Sequence, residues 1–263
     1  MKAKIFYTLS LALALTALAT LPARAADEPA GPSAADIVKQ SLAKYASLTS
    51  YSDEGVTVST LGPTIAKSHI FTLKLGRTNL YQVVWRQAGE ISGAAWSAGT
   101  GDYLWMGRGF DLQKCKDRET ALASATGVSG GVAANLPGAF FNLSWGGLLR
   151  AHQTDFTRAP DDKVGEVDCF VLTHAADGRA NTVWIGKQDW LIHQIENDTS
   201  SKAVRAALEA QAAKNPQIRA MLDSSDPQVS QDVKTIETHR NIVINPPLTP
   251  GNLDFQLPAR MAL

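Results

Sequence analysis

The sequence predicts a mainly β protein made of antiparallel meanders, and three observations carry that prediction. From Val56 to Trp105 apolar residues recur with a period near two, and turn residues break the run about every ten positions. A second alternating block runs from Val167 to Glu196, and a longer stretch from Val233 to Ile244 closes the pattern. Helical spacing is confined to short segments before and between these blocks.

The first 25 residues stand apart from that pattern. Lys2 and Lys4 precede an apolar run from Ile5 to Leu21, and Ala23 and Ala25 supply the small-x-small sequence that a signal peptidase reads. Residues 1–25 are therefore expected to be a cleaved signal peptide, residues 26–263 a single domain, and the destination the periplasm. Loss of the leader removes three of the 25 basic side chains and none of the 25 acidic ones, which leaves 22 against 25 and a net charge of −3. With no run of Lys and Arg elsewhere, the chain is not built to bind nucleic acid.

After a polar, Pro-rich lead-in, Ser33-Ala34-Ala35-Asp36 has the form of a helix start, and Ile37, Val38, Leu42, Tyr45 and Leu48 follow at helical spacing. Strands come next. Val56 and Val58 alternate with Thr57 and Ser59. Phe71, Leu73 and Leu75 share one face of a second strand, and Tyr81, Val83 and Trp85 one face of a third. A short strand carries Trp96, and a fifth carries Tyr103 and Trp105. Residues 112–160 lose the alternation and become Ala- and Gly-rich, with a short helix expected near Ala121 and another from Gly138 to Leu149. A second meander is expected over Val167–Thr173, Asn181–Lys187 and Leu191–Glu196. An inserted helix pair should follow from Lys202 to Leu222, then the long strand to Ile244 and a short one around Leu253–Phe255.

Chemical motifs are sparse. Gly127-Val128-Ser129-Gly130-Gly131 satisfies the spacing of a nucleophile elbow, so a serine hydrolase using Ser129 is an alternative reading; an elbow, however, needs a strand leading in and a parallel sheet behind it, neither of which is expected here. None of His69, His152, His174, His193 and His239 lies at metal-ligand spacing from another, so no metal and no cofactor is expected. The acidic pair Asp53-Glu54 reads as a solvated strand edge. Cys115 and Cys169 are the only thiols, and in an oxidising compartment such a pair points to a disulfide, the alternative being two reduced thiols that never meet.

Several segments resemble the lipoprotein-carrier family of LolA and LolB. They are Thr49-Ser50-Tyr51-Ser52-Asp53-Glu54-Gly55, the run from Val164 to Leu172 feeding Val183-Trp184-Ile185 and Leu191-Ile192, and the closing Ile242-Val243-Ile244-Asn245-Pro246-Pro247-Leu248. The resemblance implies a curved antiparallel half-barrel with a helical lid, wrapped around a hydrophobic cavity that holds a lipid or acyl chain. On that reading Phe71, Leu73, Tyr81, Val83, Trp85, Trp96, Tyr103 and Trp105 line the cavity, and Phe140, Phe141 and Trp145 belong to the lid. The implied function is a monomeric, non-catalytic periplasmic carrier of a hydrophobic ligand. The same fold in the periplasmic regulator RseB offers a different class, a sensor or interaction module with an envelope protein partner. Ala26 stands where a LolB-type carrier would have its lipidated cysteine.

Overall fold

Helix α1 spans Ala34–Ser47. Ser33 caps it, its hydroxyl accepting the Asp36 N–H at 3.2 Å and donating to the Asp36 carboxylate at 2.7 Å. Its inner face buries Ile37, Val38, Ser41 and Tyr45, and the Tyr45 hydroxyl accepts the Ile192 N–H at 3.0 Å. This structure is a computed structural model and describes residues 31–143, 145, 147–212, 216–223 and 231–258; the expected leader over 1–25 lies outside them.

The first meander is β1 (Ser50–Leu61), β2 (Thr64–Gly76), β3 (Leu80–Gln87), β4 (Glu90–Ala98) and β5 (Asp102–Trp105), as the alternation predicts. A sixth strand, β6 (Gln113–Cys115), adds to its edge. Three short helices follow: α2 (Arg118–Ala125), α3 (Asn135–Phe141) and α4 (Gly147–Ala151). The single helix expected over Gly138–Leu149 is two, because Asn142 adopts a left-handed conformation (φ 58°) and ends α3 there.

The second meander opens one strand earlier than expected, with β7 (Thr157–Val164), followed by β8 (Val167–Ala176), β9 (Arg179–Gly186) and β10 (Ile192–Thr199). Strand β7 escapes sequence reading because it is polar, carries Pro160 and is bulged against β8 between Ala159 and Asp162; these are properties an outermost strand tolerates. The insert is the expected helix pair, α5 (Ser201–Ala212) and α6 (Pro216–Asp223). Strand β11 (Val233–Ile244) then pairs with both β1 and β10, which joins the two meanders into one antiparallel sheet. No strand forms at Leu253–Phe255. A 3-10 turn at Pro250–Asn252 leads into an irregular segment, with Leu253 buried and Phe255 packed on Trp96.

Among the described residues the sheet has eleven strands in the order β6-β5-β4-β3-β2-β1-β11-β10-β9-β8-β7, and it is not closed into a barrel. It wraps the helices. Leu104 of β5 and Phe170 of β8, near opposite edges, belong to one apolar cluster with residues of α1, α2, α3 and α4 at its centre. Each fully buried Leu or Phe in it stabilises by about 1.5–3 kcal/mol. A second cluster of Val84, Ala94, Trp96 and Trp105 lies apart from it. Among the described residues no helix is long and apolar enough to cross a membrane.

Candidate functional site

The concave face of the sheet, closed by α2–α4, gathers most of the residues singled out from the sequence. Phe71, Leu73, Tyr81, Val83 and Trp85 point to it from β2 and β3 and are essentially inaccessible to water. Phe140 and Phe141 of α3 descend onto them, Phe141 meeting Tyr81 edge-on with ring centroids 6.1 Å apart. Trp145 packs partly buried against the same cluster.

Three predicted lining residues are elsewhere. Register decides this: Val83 pairs with Ala95 and Ala95 with Leu104, so Leu104 shares the concave face. Trp96, Tyr103 and Trp105 consequently fall on the opposite, convex face. There Trp96 stacks on Tyr103 at 5.5 Å and Phe255 covers Trp96 and Trp105. The regular alternation within β5 was legible, but which half of it faced inward was not.

The floor of the concave face is polar at its centre, and the sequence reading missed this. Strand β1 turns Tyr51, Asp53, Gly55 and Thr57 inward, while Val56 and Val58 are half-buried on the other side. The facing positions of β11 are Glu237 and His239. His239 Nδ1 lies 2.6 Å from Asp53 Oδ2, which also accepts the Tyr51 hydroxyl at 2.7 Å. His239 Nε2 lies 3.2 Å from Glu237 Oε1, and Glu237 Oε2 accepts the Asn135 amide of α3 at 3.0 Å. Burial disfavours the imidazolium, but the adjacent Asp53 and Glu237 carboxylates outweigh it and hold the His239 pKa at about 10. Burial pushes the Asp53 carboxyl up from its ordinary value despite the pull of His239. The proton therefore resides on His239 at neutral pH. Asp53 is a buried member of a charged centre rather than a solvated edge, and a signal existed in Tyr51-x-Asp53-x-Gly55-x-Thr57, a polar strand face in a central strand.

A second missed residue fastens the helices. Arg77, in the turn between β2 and β3, donates from Nε to the Leu48 carbonyl at 2.9 Å and from its terminal nitrogens to the carbonyls of Tyr45 and Phe140. Its guanidinium also lies 4.1 Å from the centre of the Phe140 ring. Arg118 sits likewise over Phe141 at 3.8 Å. One side chain thus ties the C-terminal ends of α1 and α3 to the sheet. These carbonyls lie at or just past the C-terminal ends of the two helices, where a cation is favoured. Helix α3 is held at both ends, by Asn135 to Glu237 and by Phe140 to Arg77.

The remaining candidates are placed as follows. Ser129 is wholly buried between α2 and α3, its hydroxyl donating to the Thr126 carbonyl at 3.2 Å and accepting the Ala133 N–H at 3.2 Å. It organises a helical connection, and the strand that an elbow requires does not lead into it. Cys115 and Cys169 are both free. The expected disulfide is absent because β6 and β8 lie near opposite edges of the sheet, with eight strands between them. Burial raises the Cys169 thiol pKa to about 11. His69, His193 and His239 lie on strands β2, β10 and β11 and are buried. An open cleft of about 760 Å³ lies away from the apolar face, between the β8–β9 turn and the ends of β1, β10 and β11, and is lined by charged residues including Asp177, Arg179, Asp232 and Lys234.

No protein-family model and no curated protein matches the sequence. Solved structures do. The chain is similar to a DUF1329 family protein from Desulfovibrio piger, with 11% identity over 84% of this chain and 95% of that one and a TM-score of 0.38. It is similar to the lipoprotein LppX of Mycobacterium tuberculosis, with 12% identity, coverage of 82% and 97%, and a TM-score of 0.40. It is also similar to a LolA superfamily protein from Nitrosomonas europaea, with 9% identity, coverage of 86% and 99%, and a TM-score of 0.35.

Proposed function

We propose that the protein is a non-catalytic, monomeric periplasmic carrier that holds an acyl chain or a comparable apolar segment between the concave sheet face and its helical lid. The observation that carries this reading is the composition of that interface. Phe71, Leu73, Tyr81, Val83 and Trp85 on the sheet face Phe140 and Phe141 on a helix of seven residues. Helices this short are marginal by themselves, and the three that close the face owe their order to packing and to a few tethers. An apolar chain entering beneath them would replace one set of apolar contacts by another, so little hydrophobic free energy is lost on opening. The polar centre of Asp53, Glu237 and His239 lies under Asn135 and offers charge and hydrogen bonds to a ligand headgroup.

The test is lipid extraction and mass spectrometry on protein purified gently from its native host, with titration of a fluorescent fatty acid into delipidated protein. Co-purifying lipid and saturable probe binding, weakened by Leu73→Glu, are the expected results. Protein that is empty in every preparation and does not bind the probe removes the carrier reading.

A further inference from the structure

We propose that His152, Asp155 and His174 form a binding site for a divalent transition metal, zinc by the chemistry of the donors, which joins the turn after α4 to strand β8. The three residues are far apart in sequence terms only for His174; the fold supplies the rest. The His152 N–H donates to the Leu148 carbonyl at 3.2 Å and the Asp155 N–H to the His152 carbonyl at 2.9 Å, so a tight turn sets the first two side chains side by side. His152 Nδ1 and Asp155 Oδ2 are 3.6 Å apart. His174 reaches them from β8, its ring 4.0 Å from that of His152 and inclined by 22°. One donor atom from each residue lies within 4.8 Å of the other two.

Donor identity selects the class of ion. Two imidazoles and one carboxylate suit a borderline ion such as zinc, whereas calcium and magnesium want oxygen alone. Ligands at about 2.0–2.1 Å in a tetrahedron place donor atoms roughly 3.3 Å apart, so the present cluster closes by about 1.5 Å at most. That movement is available. The side chains of His152 and Asp155 are 34% and 53% exposed, and imidazole rotation about χ2 is soft, so the two rings can turn out of their stack to aim lone pairs at one point.

The surroundings already orient the ligands. Asp155 Oδ1 accepts the Thr154 hydroxyl at 2.9 Å, which leaves Oδ2 on the side of His152. Asn181 Nδ2 lies 3.5 Å from His174 Nδ1; a half-turn of the amide, which exchanges its nitrogen and oxygen, would let the oxygen accept the Nδ1–H and leave Nε2 for the metal. Phe156 backs the His174 ring edge-on at 6.1 Å. Three protein ligands leave a fourth position for water. The site borders the apolar cluster through Phe156, but none of its three donor residues belongs to that cluster.

Tag-free protein, stripped with a chelator, is titrated with zinc chloride by calorimetry. One zinc per chain with micromolar or tighter affinity is expected, weakened on the order of 100-fold by His152→Gln or His174→Gln and roughly 10-fold by Asn181→Ala. His193→Gln leaves it unchanged. Cobalt substituted into the parent protein should show the intense visible bands of a four-coordinate ion, a readout that needs no variant to fold. Absence of saturable zinc binding, equal affinity in the His152→Gln, His174→Gln double variant, or a six-coordinate cobalt spectrum would each overturn the assignment.

Discussion

Replacing Arg77 by Met keeps most of the side chain's volume and removes the guanidinium that ties α1 and α3 to the sheet. Three hydrogen bonds to the Tyr45, Leu48 and Phe140 carbonyls are lost, together with the stack on Phe140. Arg77 is partly exposed, and burial together with nearby Arg118 lowers its pKa, so each bond counts at the low end of the range for charged donors. Water can also reach the vacated carbonyls. A loss of about 2 to 3 kcal/mol follows, equivalent to roughly 4 to 12 °C in Tm for a domain of this size. If these bonds also hold the lid shut, the on-rate of a fluorescent fatty acid measured by stopped flow should rise in the variant, while Arg77→Lys, which lacks the planar fork, should lie between. A Tm within about 2 °C of the parent refutes the energetic assignment. A lower Tm with an unchanged on-rate refutes the latch and leaves Arg77 as a structural tie alone.

Because the His239 pKa rises from 6.5 to about 10 on folding, its stabilising contribution is complete below pH 6.5 and is lost as pH climbs towards 10. Urea melts from pH 7 to 9 should therefore show a decline of roughly 2 to 3 kcal/mol in the parent that is missing in His239→Gln; parallel profiles would sink the assignment. Titration of the unfolded, unreduced protein with a thiol reagent should find two reactive thiols per chain, since Cys115 and Cys169 are free, and a count of zero would show that the sheet edges come together. Gly55→Ala should cost more than about 3 kcal/mol or prevent folding, because a Cβ there would lie 2.2 Å from both the Thr238 carbonyl oxygen and the Phe71 ring. A soluble Gly55→Ala variant with the parent's Tm would mean that β1 and β11 can separate at their centre.

Much of the architecture was legible in the order of residues because local physics decides it. A two-residue period marks β1–β5 and β8–β10 wherever one face is buried and the other is not, and Ser33 with Asp36 announces α1 through the chemistry of a helix start. The polar edge strand β7 and the three-residue β6 carry no such contrast and stayed hidden. That Phe71, Leu73 and Leu75 share one strand face and Tyr81, Val83 and Trp85 another could be named in advance, and all six are buried in one apolar cluster with Phe140 and Phe141.

What the sequence left open depends on pairing between distant strands. Alternation shows that Tyr103 and Trp105 share a face, but only the register of β3, β4 and β5 turns that face away from Phe71. Two thiols in one chain suggest a bridge until the order of eleven strands carries them towards opposite edges. Asp53, Glu237 and His239 look like ordinary charged residues until β11 crosses from one meander to the other and pairs with β1, placing two carboxylates and an imidazole in one dry centre. His152, Asp155 and His174 meet for the same reason, a helix turn and a strand brought side by side. Periodicity is a property of a few neighbouring residues, whereas these sites join residues of different elements, and only the tertiary structure sets the distances between them.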